Sequence, residues 1–206
     1  VALGLAVAVP EAGGRLRARA VALLAAIVAA ASALRFVEVL LPGPGGFTPI
    51  FAPLILVGWA WGPRLGFLAG TLTLAVSAVA TGGVGPWLPY QAIAAGWIGL
   101  TAGLLPGARG GRRPPRGAVA GLAAFGALWG IGYGLLLSSW DWFALEAGRD
   151  AAAAGAGAAL QRYAAFYVAT SLGWDVFGAL GNAALIGLAG APTLVALARF
   201  RRWFAA

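Results

Sequence analysis

The chain contains no cysteine and no histidine. Disulfides, thiol nucleophiles and Cys-ligated metals are thereby excluded, and the usual zinc sites and the commonest general base go with them. Lysine and methionine are missing as well, so all 14 basic residues are arginine and a Ser–Lys catalytic dyad is impossible. No phosphate-binding loop or other ATP-binding motif occurs, so energy for any transport must come from a partner, an ion gradient or binding alone. Charge is also scarce, at 10% of the residues, against roughly 25% in an ordinary soluble domain.

What fills the 206 residues instead is apolar: 61% are hydrophobic, 33 are glycine, and the mean hydropathy is +0.88. Only residues 107–116 and 138–162 have the polarity of a soluble surface, so the composition specifies an integral membrane protein. In hydrocarbon every backbone amide must be bonded internally, which leaves helices or a closed barrel. The apolar runs are long, rich in Ala and Leu, and lack the two-residue alternation of barrel strands. The expected fold is an all-α membrane protein, a compact bundle of six transmembrane helices. On such a chain the net charge of +8 speaks of membrane orientation and anionic lipid, with no nucleic acid among the partners.

Residues 1–19 read as a cytoplasmic N-terminal segment, 20–190 as the transmembrane domain and 191–206 as a basic cytoplasmic tail. Arg15, Arg17 and Arg19 introduce the first span, residues 20–41. Its alanines recur every four residues, as Ala18, Ala22, Ala26 and Ala30 and again as Ala25, Ala29 and Ala33. Small residues at that spacing let another helix approach closely where lipid offers no hydrophobic reward. Arg35 and Glu38 stand one turn apart near the far end, and an ionisable residue there faces the bundle interior or snorkels to the interface. Residues 42–46, Pro-Gly-Pro-Gly-Gly, form an outer loop.

Residues 47–61 and 65–80 read as the second and third spans, joined by the tight turn Gly62-Pro63-Arg64. Both are short against the roughly 20 residues of a full crossing, so a re-entrant hairpin is the alternative. The third carries Gly66, Gly70, Thr73 and Ser77 on one face. Next comes Gly82-Gly83-Val84-Gly85-Pro86-Trp87-Leu88-Pro89-Tyr90-Gln91, which sets helix breakers, two amphipathic rings and an amide directly ahead of an apolar run, residues 92–105. The fourth span contains Gly99 and Gly103; the fifth, residues 118–137, has Gly126, Gly130 and Gly134 four apart. After a polar connection over 138–162, whose Ala-rich residues 151–160 suit a short surface helix, the sixth span is expected over 163–188.

With the N-terminus inside, 11 arginines fall on the cytoplasmic side and only Arg35, Arg149 and Arg162 fall outside, so both termini are expected in the cytoplasm. Asp175 then lies about twelve residues into the sixth span, roughly 18 Å deep, where a carboxylate is costly unless paired, protonated or wetted. Ser171, Asp175, Gly178 and Asn182 make one polar, small-residue stripe that should face the bundle. Arg35 is the natural partner of Asp175. The outer connections over 42–48, 81–90 and 138–162 bring Phe47, Trp87, Tyr90, Trp140 and Trp142 over such a floor, where rings enclose a bulky organic solute. Gln91 and Asn182 add amides that donate and accept at once.

This order of parts resembles the substrate-specific S component of energy-coupling-factor (ECF) vitamin transporters, over residues 20–202. The likeness is carried by the alanine ladder, the Gly46-Phe47-Thr48-Pro49 approach to the second helix, the Gly-Pro-Trp motif with Gln91, and Thr170-Ser171-Leu172-Gly173-Trp174-Asp175 with Gly181-Asn182. It implies a non-catalytic, cofactor-free subunit in a prokaryotic cytoplasmic membrane. Such a subunit captures a vitamin or precursor from outside and docks on a membrane coupling (T) subunit driven by two cytosolic ATPases. Carried over, Ala22, Ala26 and Ala30 become the docking face, while the reading of the residues themselves makes Arg35, Phe47, Trp87, Tyr90, Gln91, Trp140, Asp175 and Asn182 the expected substrate contacts. The Gly-Pro-Trp motif resembles the subgroup associated with cobalamin or related precursors. The competing reading is an autonomous channel or secondary transporter with Asp175 as its proton or cation site; a single deep carboxylate argues against a membrane aspartyl protease, which needs two.

Overall fold

A computed structural model describes residues 14–40, 48–107, 114–115, 117–144 and 155–205. These form seven helices and, among the described residues, no strand: α1 (Gly14–Leu40), α2 (Phe51–Trp61), α3 (Pro63–Thr81), α4 (Leu88–Ala102), α5 (Ala118–Ala144), α6 (Ala156–Thr170) and α7 (Leu172–Ala205). Four of them contain stretches long and apolar enough to cross a membrane: Ala20–Leu40, Pro63–Thr81, Ala118–Phe143 and Leu172–Arg201.

The centre is α2. It is apolar on every side, and a helix of that kind belongs in a core. Nine of its 11 residues are buried, and α3, α4, α5 and α7 all pack against it. At 11 residues it is roughly 16 Å long, about half a bilayer core. Gly62 ends it with a φ of 101°, a conformation that favours glycine, and Pro63 opens α3 at once with a ring suited to a first helical turn. The expected turn at 62–64 is therefore present, and α2 and α3 are a helical hairpin.

Helices α2, α3 and α4 meet backbone to backbone. A Cβ on Gly58 or Gly66 would run into the carbonyl of Gly99, one on Gly70 into that of Ala95, and one on Gly103 into the Gly62–Pro63 peptide. The expected face of the third span is realised here, since Gly66, Gly70, Thr73 and Ser77 are all buried. Helix α1 packs on α3 through its Leu23, Val28 and Ala31 side, and both alanine ladders are exposed.

The bundle has two ends. One gathers the α2–α3 turn, the end of α4 and the far end of α7, where Arg201 donates to the carbonyl of Ala60 at 3.2 Å. A cation there complements the carbonyls left free at the end of α2. At the opposite end lie Glu38, Thr48, Tyr90, Ser139 and Ser171, joined by the side-chain hydrogen bonds described below.

Three boundaries differ from expectation. Helix α4 begins at Leu88, four residues early, because Pro89 lacks only an amide that a first turn leaves unbonded anyway; Tyr90 and Gln91 belong to its first turns. Helix α5 continues through Ser138, Asp141 and Trp142 to Ala144, with Ser138 and Asp141 at helical spacing turned towards a cavity and Trp142 buried against Tyr163 and Phe166 of α6, not over that cavity. The expected sixth span is broken: α6 runs to Thr170, Ser171 leaves the helical conformation at φ −126°, and α7 starts at Leu172. Asp175 therefore sits in the first turn of a 34-residue helix, near its N-terminal end and not twelve residues into it. Phe47, the loop over 42–46 and Arg109, Arg112, Arg113, Arg116 and Arg149 lie outside the described residues.

Candidate functional site

At the end that carries Glu38 and Ser171, α5 and α7 flank a cavity of about 320 Å³. Three glycines of α5 set the distance between the two helices. Gly126 abuts Ile186, Gly130 abuts the backbone of Ala179, and a Cβ on Gly134 would occupy the position of the Asp175 carboxylate. Deep in the bundle the two helices are thus in contact, and at Gly134 the missing side chain leaves room for an acid.

The floor and one wall come from α7. Ser171, Asp175, Gly178 and Asn182 all line the cavity, so the polar stripe of the sequence faces inwards as expected. Tyr167 donates to Oδ2 of Asp175 at 2.8 Å, and among the described residues Oδ1 accepts no hydrogen bond. The position also suits a carboxylate because the first turn of a helix presents unbonded amides and a partial positive charge. Asn182 is 0% exposed and neither its Oδ1 nor its Nδ2 has a protein partner. A buried amide left unsatisfied costs about 1–3 kcal/mol, so this side chain weakens the fold of the empty protein.

The second wall is α5, which contributes Tyr133, Ser138 and Asp141. Ser138 donates to the Ser171 hydroxyl at 2.8 Å, tying the helix break to α5. The third side is the entrance to α2, where Thr48 and Phe51 face the cavity and the rings of Phe51 and Tyr133 stand 4.6 Å apart. Phe51, Tyr133 and Trp174 were not expected as contacts, and Thr48, Ser138 and Asp141 fall within the connections expected over the cavity without having been singled out. A signal for the α5 set existed in the recurrence of Gly130, Gly134, Ser138 and Asp141 at three- and four-residue intervals, hidden because the helix was expected to end before Ser138.

The expected partnership of Arg35 and Asp175 is not formed: no ion pair joins them. Arg35 instead stands a turn from Glu38 and within electrostatic reach of Tyr133, with its Nε buried and unbonded. Glu38 accepts from Thr48 at 2.6 Å, which fastens the C-terminal end of α1 to the cavity's third side.

The aromatic motif occupies a neighbouring position. Tyr90 shares a hydrogen bond of 2.9 Å with Ser139, and its ring lies 5.9 Å from that of Trp140. Trp87 is 44% exposed and folds over Gly85, where no side chain stands in its way. Gln91 is half-buried in α4. Adjacent serines of α5 separate the two regions: Ser138 turns to α7 and the cavity, Ser139 to α4. The described walls of the cavity thus include Asp175 and Asn182 and do not include Arg35, Trp87, Tyr90, Gln91 or Trp140.

Fold and cavity together define a small helical membrane protein with a polar, partly aromatic cavity at one end and no metal-ligating cluster among the described residues. Residues 20–198 match the family described as ECF transporter, substrate-specific component. The chain belongs to that family, whose members are the membrane-embedded substrate-binding subunits of vitamin importers. No curated protein and no solved structure gives a significant match.

Proposed function

We propose that this S component captures its vitamin from outside the cell in the cavity between α2, α5 and α7, with Asn182 and Asp175 as the polar contacts. The observation that carries this is Asn182, an amide in the deepest part of an outer-end cavity with both polar atoms unpartnered. A ligand that donates to one and accepts from the other offsets its desolvation. Arg35 acts on the site through Tyr133 and Glu38; Tyr90, Gln91, Trp87 and Trp140 brace the α4–α5 rim, and Phe47 precedes the Thr48 wall.

The cavity stands at the lower end of the roughly 300–1,000 Å³ typical of small-molecule sites. That size favours a vitamin or precursor of one or two ring systems over a whole corrinoid. Six passes are proposed, made by α1, α2, α3, α4, α5 and α7, which alternate between the two ends. The proposed transmembrane domain, residues 20–190, then ends inside α7, and residues 191–205 of the tail continue that helix. Arg64, Arg199 and Arg201 share the end opposite the cavity, which by the excess of arginine is the cytoplasmic one. The exposed Ala22, Ala26 and Ala30 are the docking face for the coupling subunit, which two cytosolic ATPases drive; they offer a close-packing stripe without a large side chain.

Reconstitution tests this function. Uptake into proteoliposomes should require the coupling subunit and ATPases, and Ala26→Trp should abolish co-purification with them while ligand binding by the isolated subunit is kept. Full-rate transport by the chain alone would establish the autonomous transporter instead.

A further inference from the structure

Resting on the assignment of the cavity as the substrate site, the charge of its walls narrows the substrate class. Two carboxylates, Asp141 and Asp175, line the cavity, and no arginine does among the described residues. The cations nearest in the fold lie off the cavity wall: Arg35 stands one turn from Glu38 on α1, within electrostatic reach of Glu38 and of Tyr133, and Arg162 is exposed on α6. Glu38 itself is taken by Thr48. Of the two lining acids, Asp175 keeps Oδ1 without a protein hydrogen bond, and Asp141 has no side-chain partner among the described residues.

A carboxylate ligand entering this space would meet like charge at the half-buried Asp175 and, more weakly because water screens it, at the exposed Asp141, with no cation on the described walls. A cation meets the opposite situation. The rings of Phe51, Tyr133 and Trp174 line the same space, and the last is 61% exposed and so accessible to a ligand. Aromatic faces attract organic cations as well as enclosing flat ones. Independently of the acids, the unpartnered amide of Asn182 asks for a ligand edge that carries a donor and an acceptor together.

We infer that the substrate is an organic cation built on a planar nitrogen heterocycle, held by Asp175 and Asp141 at its charged group, by the three rings on its faces and by Asn182 at a donor–acceptor edge. Anionic vitamins are rejected by the same two carboxylates. Selectivity thus comes from repulsion of the wrong charge as much as from attraction of the right one.

Three probes of nearly one shape separate charge from size: 1-methylnicotinamide (cation), nicotinamide (neutral) and nicotinate (anion). Their dissociation constants are measured by ligand-observed NMR on the isolated, detergent-solubilised protein. The cation should bind at least about tenfold more tightly than nicotinate, a difference of about 1.4 kcal/mol. Asp175→Asn keeps an acceptor for Tyr167, so the fold is retained, and it should remove most of that preference. Asn182→Leu should weaken the cation and the neutral amide alike. Equal or tighter binding of nicotinate overturns the inference, as do binding of none of the three and a charge preference unchanged in both Asp175→Asn and Asp141→Asn. Failure of the S-component function shows differently, as absence of a complex with the coupling subunit, which these measurements on the isolated chain do not involve.

Discussion

Helices α2, α3 and α4 are held together by what their glycines lack, whereas α5 and α7 use the same residue to leave space. At Gly58, Gly66, Gly70 and Gly99 the backbones of three helices touch, and the surrounding core of Ile50, Leu54, Ile55 and Ile98 is fully buried. At Gly134 the missing Cβ is replaced by a carboxylate, beyond it the helices are tied by Ser138 and Ser171, and the unpartnered amide of Asn182 lies on the deeper side of the same cavity. The difference separates a scaffold from a site. Close packing in a membrane rewards small residues and tolerates no added volume; buried hydroxyls without partners occur in the scaffold as well, at Thr71 and Thr73, and what distinguishes Asn182 is that its unpartnered amide lines a space a ligand can enter.

The largest expected effect comes from violating the scaffold. Gly99→Ala places a methyl group against the carbonyl of Gly66, and neither backbone has room to yield. A loss of about 1–3 kcal/mol is expected, read as a lowered melting temperature in detergent. Gly121→Ala, where nothing lies within 4 Å, is the control: it should leave stability unchanged or raise it slightly, since alanine favours the helix. Equal losses at the two positions would remove the distinction between the regions.

On the other side of the comparison a substitution should stabilise. Asn182→Leu removes the unpartnered amide, so the empty protein should gain up to about 1–2 kcal/mol, observed as a higher melting temperature. A fall of similar size would make Asn182 a packing residue. The smallest effect belongs to the rim. Tyr90→Phe loses one partly exposed hydrogen bond to Ser139, worth about 0.5–1.5 kcal/mol at most, and should leave ligand affinity nearly unchanged. A large loss of affinity would show that the α4–α5 rim closes over the substrate.

The contrast also explains what was legible beforehand. Hydrophobic length and the absence of alternation disclosed a helical membrane protein, and small residues at four-residue spacing revealed the packed faces of α3 and α5 and the exposed ladder of α1. These signals are periodic and local, so one chain suffices to read them. The stripe of Ser171, Asp175, Gly178 and Asn182 was legible for the same reason, and it does face inwards. The break at Ser171 was not: a Thr-Ser-Leu-Gly run is compatible with a helix, and the tie from Ser138 that fixes it comes from 33 residues away. The pairing of Arg35 with Asp175 failed likewise. Scarcity of charge made the two look like partners, while the structure gives Asp175 a tyrosine from α6 and places Arg35 beside Glu38.

The central claim is that the space floored by Asn182 and Asp175 holds the substrate. Native mass spectrometry of the purified protein tests it most directly, with wild type and Asn182→Leu prepared alike from cells grown with a full supply of vitamins. A cofactor-sized molecule should accompany the wild-type chain and be lost from the variant, although the variant melts higher. Retention of the same molecule at the same occupancy by Asn182→Leu would contradict the claim.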